Sequence, residues 1–291
     1  MDKWPNFFIV GAPKCATTSL YFYLKDIPQI FMSEVKEPNY FSKATVPDNH
    51  SIKPIRNKKK YLDLFKNVKK NKILGEASTQ YLADPEAPKL IHEVAPDAKI
   101  LISIRDPAER IFSGYLMGRR LGTAKLSFRE ELQKEISGKA DPAKTRLRSD
   151  VGFYSGHIKR YLDIFGPKQV KIIIFEEFTK NPKGNVEDVL NFLGINHTFS
   201  NFVNEKRNPF AVSRGPISRK IRRSKIVHQV ADKTFPASAR KYVRENILEK
   251  KQPKPKMEPS DKEFLINFYK DDVKKLEDLL GKKMPWKNFP S

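Results

Sequence analysis

One cysteine, Cys15, in 291 residues excludes an internal disulfide, so a packed core must hold the fold together, and a reducing compartment suits the chain. Long apolar runs are absent as well. No stretch approaches the roughly 20 residues a bilayer-spanning helix needs, which argues against a transmembrane segment. A strand-like run already begins at Phe7, close to the start of the sequence. A leader peptide is therefore not expected, and the cytoplasm is the expected location. No internal repeat, zinc-finger spacing, RNP signature or Gly-x-x-Gly loop is present, so the recognisable nucleic-acid modules have no support.

Acidic residues are scarce relative to basic ones, at 34 Asp and Glu against 56 Lys and Arg, for a formal charge of +22. The excess is clustered. Lys206 to Lys256 holds 16 basic residues against 3 acidic, and Lys53 to Lys72 holds nine against one. Ser218 to Val227 has the pattern of a basic amphipathic helix. Such surfaces attract anionic cofactors, polyanions or acidic membrane faces. A basic protein binding nucleic acid or a membrane surface is thus one functional reading to carry forward. It needs no chemistry of its own.

What the sequence does contain is a strand, loop and helix start of unusual composition. Phe7 to Val10 is apolar, and Gly11-Ala12-Pro13-Lys14-Cys15-Ala16-Thr17-Thr18-Ser19 leads into Leu20, Phe22 and Leu24 at helical spacing. The first amides of a helix lack internal partners and sit at its positive end, which favours an anion. Three hydroxyls and a lysine reinforce that preference. The loop is not a Walker motif, because Ala16 and Thr17 occupy the positions of its second glycine and its lysine. It suits phosphate but is poorly arranged for ATP with magnesium.

A second block points the same way. Ile100 to Ile104 reads as a buried strand that ends at Arg105, and Asp106-Pro107 opens a helix carrying Ser113 about two turns along. An arginine fork and a serine hydroxyl suit a phosphate monoester. Strand-like runs at Phe7–Val10, Ile73–Glu76, Lys99–Ile104 and Val170–Phe175 alternate with helical ones. The helical runs are Thr18–Lys25, Lys59–Phe65, Pro85–Val94, Ala108–Gly118, Phe128–Ile136, Ser155–Ile164 and Val186–Phe192. This alternation predicts a three-layer α/β/α fold with a central parallel sheet, nucleotide-binding in type, as one domain over residues 1–291. Gly11, Glu76 and Arg105 fall at carboxyl ends of the expected strands, where such sheets place ligands. Gly138 to Asp150 is polar and reads as a loop near the substrate mouth.

The Gly11 to Ser19 loop resembles the 5′-phosphosulfate loop of sulfotransferases that use 3′-phosphoadenosine 5′-phosphosulfate (PAPS). The Arg105…Ser113 block resembles that family's 3′-phosphate motif. Lys36-Glu37-Pro38…Tyr40-Phe41 is similar to the K-E-x-x-[FY]-F element of its carbohydrate-type and bacterial members. Gly75-Glu76-Ala77-Ser78-Thr79-Gln80-Tyr81-Leu82 is similar to their segment after the second core strand. The stretch Pro253 to Trp286 matches the last helix, with Leu265, Tyr269, Val273, Leu276 and Leu280 on one face.

The resemblance implies transfer of a sulfuryl group from PAPS to a hydroxyl of a carbohydrate, lipid or small metabolite, with no metal. It places Gly11, Ala12, Pro13, Lys14, Cys15, Ala16, Thr17, Thr18, Ser19, Arg105 and Ser113 on the cofactor. It adds Arg207 and Arg214 from a basic segment, about 200–256, that would close over the nucleotide. Lys14 would meet the leaving group, and Glu37 would be the base, with His157 in reserve. Glu76 would orient Lys14 or support the site from behind. Positive surroundings could lower the Cys15 thiol, although a small residue fitting a tight loop is the simpler reading.

Overall fold

A computed structural model describes residues 2–43, 54–68, 72–141, 145–197 and 255–290, with isolated positions and two short strands between 199 and 251. Arg207, Arg214 and most of the basic segment, including 218–227, lie outside the described residues.

Five strands form one all-parallel sheet: β1 (Phe7–Gly11), β2 (Ile30–Met32), β3 (Ile73–Ala77), β4 (Lys99–Ile104) and β5 (Val170–Ile174). Their order across the sheet is β2-β3-β1-β4-β5, which places β1 at the centre. Side chains alternate along β1, so Phe7 and Ile9 enter one apolar cluster while Phe8 and Val10 enter another. Both faces are therefore covered, as unbroken apolar strands require.

On one face lie Leu20 and Leu24 of α1 (Thr17–Lys25), with Val186, Val189 and Leu190 of a helix spanning Pro182–Phe192. The other face is covered by Ile111 and Leu116 of Pro107–Leu121, Tyr154 and Ile158 of Tyr154–Phe165, and Leu265, Tyr269, Val273 and Leu276 of Pro259–Leu280. The expected three-layer α/β/α arrangement is what forms. Leu280, expected on the buried face of the last helix, is only half-buried.

Many ends move by one to three residues, the helix expected over Val186–Phe192 begins four residues earlier at Pro182, and three further differences stand out. The strand expected to run to Phe175 stops at Ile174, and Phe175 opens a short helix with Glu176 and Glu177 in its first turn. Acidic residues there favour a helix N-terminus, whereas Phe175 alone reads as strand. The helix expected over Lys59–Phe65 covers only Lys58–Leu62. The edge strand β2 was not expected, because three residues carry no measurable period.

Candidate functional site

The carboxyl ends of β1 and β4 adjoin at the sheet centre, and the chain on leaving each of them builds the site. From β1 the chain turns at Gly11, where a Cβ would lie 2.5 Å from that of Leu82. The loop is tied to β4 on both of its limbs. The Ala12 amide donates to the Ser103 carbonyl at 2.6 Å, and the Ser103 hydroxyl donates to the Cys15 carbonyl at 2.5 Å. Lys14 and Ala16 hold φ of 72° and 62°, left-handed values that cost non-glycine residues energy and that recur where a backbone is shaped around a ligand.

Ala16 caps α1 with no side-chain bond, and Leu20 makes the first intrahelical hydrogen bond, to its carbonyl, at 3.1 Å. Among the described residues, no acceptor takes the amides of Lys14, Cys15, Ala16, Thr17, Thr18 or Ser19. A row of unsatisfied amides at a helix start is an arrangement that can hold an anion.

After β4 the chain passes through Arg105 into α2, the label used from here for the helix Pro107–Leu121. Asp106 caps it, accepting from Ala108 at 3.0 Å and Glu109 at 3.2 Å. Burial pushes the Asp106 carboxyl up to about 6. The Arg105 guanidinium lies 4.4 Å from the Phe175 ring centroid and pairs with Glu109 at 3.2 Å. Its Nε is buried with no acceptor among the described residues. Ser113 follows, half-buried, two turns along the helix.

Tyr154 joins the two arms, its hydroxyl donating to the Arg105 carbonyl at 2.9 Å and lying 4.0 Å from the Cys15 sulfur. Cys15 itself is fully buried. Desolvation outweighs the nearby Arg110 and Arg105 charges and pushes its thiol up to about 12, so the simpler reading of Cys15 is the better one.

Lys14 stands among cations. Burial, then Arg120, Arg105 and Arg146, press its ammonium down to about 8. Arg120 lies on α2 seven residues beyond Ser113, and so on the same helical stripe. Arg146 comes from the polar loop before Tyr154. Its carbonyl lies 2.3 Å from where a Cβ on Gly114 would sit, so this main chain is seated directly on α2 beside Ser113. Neither arginine was singled out in the sequence, where each is one basic residue among many.

Glu37 pairs with Lys36 at 2.8 Å, and both side chains are largely covered, at 19% and 17% exposed. The Glu37 field also reaches Arg146, which ties this loop electrostatically to the Lys14 cluster. His157 faces elsewhere: its Nε2 lies 3.1 Å from the Asp150 carbonyl, and the charges acting on it are Arg160, Asp150 and Asp272. Burial moves its imidazole below its ordinary value. Glu76 does not orient Lys14. It is fully buried, accepts a hydrogen bond from Tyr61, and is pushed up to about 7 by desolvation.

The sulfotransferase-domain family profile matches residues 5–279. The crystal structure of a sulfotransferase from Alicyclobacillus acidocaldarius is 33% identical and superposes with a TM-score of 0.73, over 97% of this chain and 98% of that one. Rat carbohydrate sulfotransferase 15 is 27% identical over 245 residues, covering 66% of this chain and 44% of that protein. Human bifunctional heparan sulfate N-deacetylase/N-sulfotransferase 3 is 30% identical over 201 residues, covering 67% of this chain and 23% of that protein. The chain thus spans less than half the length of these two curated relatives.

Proposed function

The chain belongs to the sulfotransferase-domain family, and from that premise we propose that it transfers a sulfuryl group from PAPS to a hydroxyl of a carbohydrate acceptor. The observation that carries this reading is the row of unclaimed amides from Lys14 to Ser19, set beside Arg105 at the adjoining strand end. Two anionic groups on one nucleotide fit these two arms. When bound, PAPS supplies the sulfuryl group and a phosphate leaving group.

The loop amides with Thr17, Thr18 and Ser19 hold the 5′-phosphate, and Arg105 with Ser113 holds the 3′-phosphate. Lys14 meets the oxygen on which charge develops, a fixed donor aimed at the transition state. Arg120 and Arg146 add positive potential around that oxygen. Glu37, held 2.8 Å from the Lys36 ammonium, takes the acceptor's proton. Positioning and charge complementarity account for most of the catalysis in such in-line transfers.

The carbohydrate acceptor is carried over from the relatives' names, which specify carbohydrate and heparan sulfate. We read residues 1–291 as one such domain, and its single cysteine supports a cytoplasmic setting. Among the described residues, no helix is long and apolar enough to cross a membrane. The clustered basic charge that suits a protein merely binding nucleic acid or membranes suits an anionic nucleotide equally, and the family match favours the transfer reading.

Calorimetric titration with 3′-phosphoadenosine 5′-phosphate (PAP) beside ADP, without magnesium, tests the reading. PAP is expected to bind at least about tenfold more tightly, with the preference lost in Arg105→Ala. Equal affinity for the two nucleotides would sink it.

A further inference from the structure

Glu76 is a carboxylate where the sheet wants an apolar residue. It lies within β3, paired in register with Phe8 of the central strand, and has no exposed surface. One oxygen accepts from the Tyr61 hydroxyl, and the Ser78 and Tyr81 side chains stand beside it. The other oxygen, Oε1, meets no donor among the described residues. A carboxyl held this way costs stability compared with a well-packed apolar side chain. Sites that break a local rule at such a cost are where function is sought.

The groups around Glu76 also contact the loop that carries Glu37. The Glu37 amide donates to the Ala77 carbonyl at 2.8 Å, next along the chain from Glu76. The Asn39 amide donates to the Ser78 hydroxyl at 3.0 Å, and the Phe41 amide to the Tyr81 hydroxyl at 3.2 Å. Tyr61, fixed at its hydroxyl by Glu76, stacks on Tyr40 with ring centroids 4.3 Å apart and planes at 14°.

Glu37 and Asn39 hold φ of 62° and 50°, so this short loop contains two left-handed non-glycine residues. Such backbone persists only when its surroundings over-determine it. Three hydrogen bonds and one stacked ring tie the loop to the end of β3 and to Glu76's partner Tyr61. The Ile55 amide on the Pro38 carbonyl at 2.8 Å, Arg56 on the Asn39 carbonyl at 2.8 Å and the Asn39 side chain on the Glu37 carbonyl at 2.9 Å complete the hold.

We propose that Glu76 is a positioning residue for Glu37, acting through Tyr61 and the Ser78–Tyr81 segment to hold the 37–41 loop in its left-handed conformation. This rests on the reading of Glu37 as the base. It predicts that Glu76 affects where the proton acceptor sits and leaves the nucleotide cradle untouched.

The test uses the full chain with Glu76→Gln, which keeps shape and one acceptor, and Tyr61→Phe, which keeps the ring stack but removes the donor. Hydrogen exchange is compared for the peptides spanning 36–43 and 11–20, with PAP affinity measured in parallel. Turnover is read as PAP released from radiolabelled PAPS, both with desulfated heparin and with water alone as acceptor. In both variants, exchange at 37–41 is expected to rise and kcat to fall by about tenfold. Exchange at 11–20, KM for PAPS and PAP affinity are expected to stay within about twofold of the parent.

Unchanged exchange at 37–41 in both variants overturns the proposal. So does normal kcat in Glu76→Gln while Glu37→Gln is inactive, or an equal loosening of the cradle. Glu37→Gln measured alone isolates the premise. Full turnover in that variant refutes the base reading, whatever Glu76 does.

Discussion

Lys14 carries its charge in a place that resists it. Burial and three guanidiniums press its ammonium down to about 8, so near that pH a sizeable fraction is neutral in the free protein. An arriving phosphate reverses the balance, because an anion beside the ammonium favours its charged form. Binding therefore draws a proton onto the lysine. At pH 8.5, where nucleotide phosphates are already fully ionised, PAP binding is expected to take up about half a proton or more. Affinity should fall as pH rises beyond about 8. Calorimetry in two buffers of different ionisation enthalpy measures the uptake directly, and Lys14→Met should abolish it. Uptake that survives in the variant would assign the proton to another group. The sequence shows Lys14 and Arg105 as parts of one site, but not that Arg120 and Arg146 fold against the lysine as well.

At the scale of elements, legibility followed burial. β1, β4 and their succeeding helices were readable because a parallel sheet covered on both faces demands unbroken apolar strands, and because Pro107 and Asp106 mark a helix start. The seat of Arg146 was not readable, since it depends on a contact between a polar loop and Gly114, 32 positions earlier in the chain. That glycine is needed for closeness, with the Arg146 carbonyl 2.3 Å from the space a Cβ would take. Gly114→Ala must push the loop off α2 and carry Arg146 with it. A loss of about 1–3 kcal/mol in stability is expected. PAPS turnover should drop further than that loss explains, because the displaced guanidinium no longer adds its field at Lys14. Denaturant melts paired with turnover of the remaining folded enzyme separate the two effects. Turnover per folded molecule equal to the parent's would show that Arg146 contributes only packing.

For the molecule as a whole, the charged groups divide between those that folding welcomes and those it merely tolerates. Glu76 and Asp106 are tolerated: desolvation lifts them to about 7 and about 6 respectively. A carboxyl raised on folding holds its proton in the native state after the unfolded chain has released it. The native state then binds more protons than the unfolded one, so stability falls as pH rises from the ordinary carboxylate range to the raised value. For Glu76 that window runs from about 4.5 to about 7, and above it the full cost is present.

Glu76→Gln removes the titration and keeps the shape. Relative to the parent, the variant is expected to gain about 2 kcal/mol of stability between pH 5 and pH 8. Urea melts at the two pH values measure this, and a difference independent of pH would mean that Glu76 is ionised throughout. The expected gain also bears on the loop that carries Glu37. A variant more stable at pH 8 yet slower in turnover would place Glu76 among the groups kept for what they position, at a cost the rest of the core has to offset.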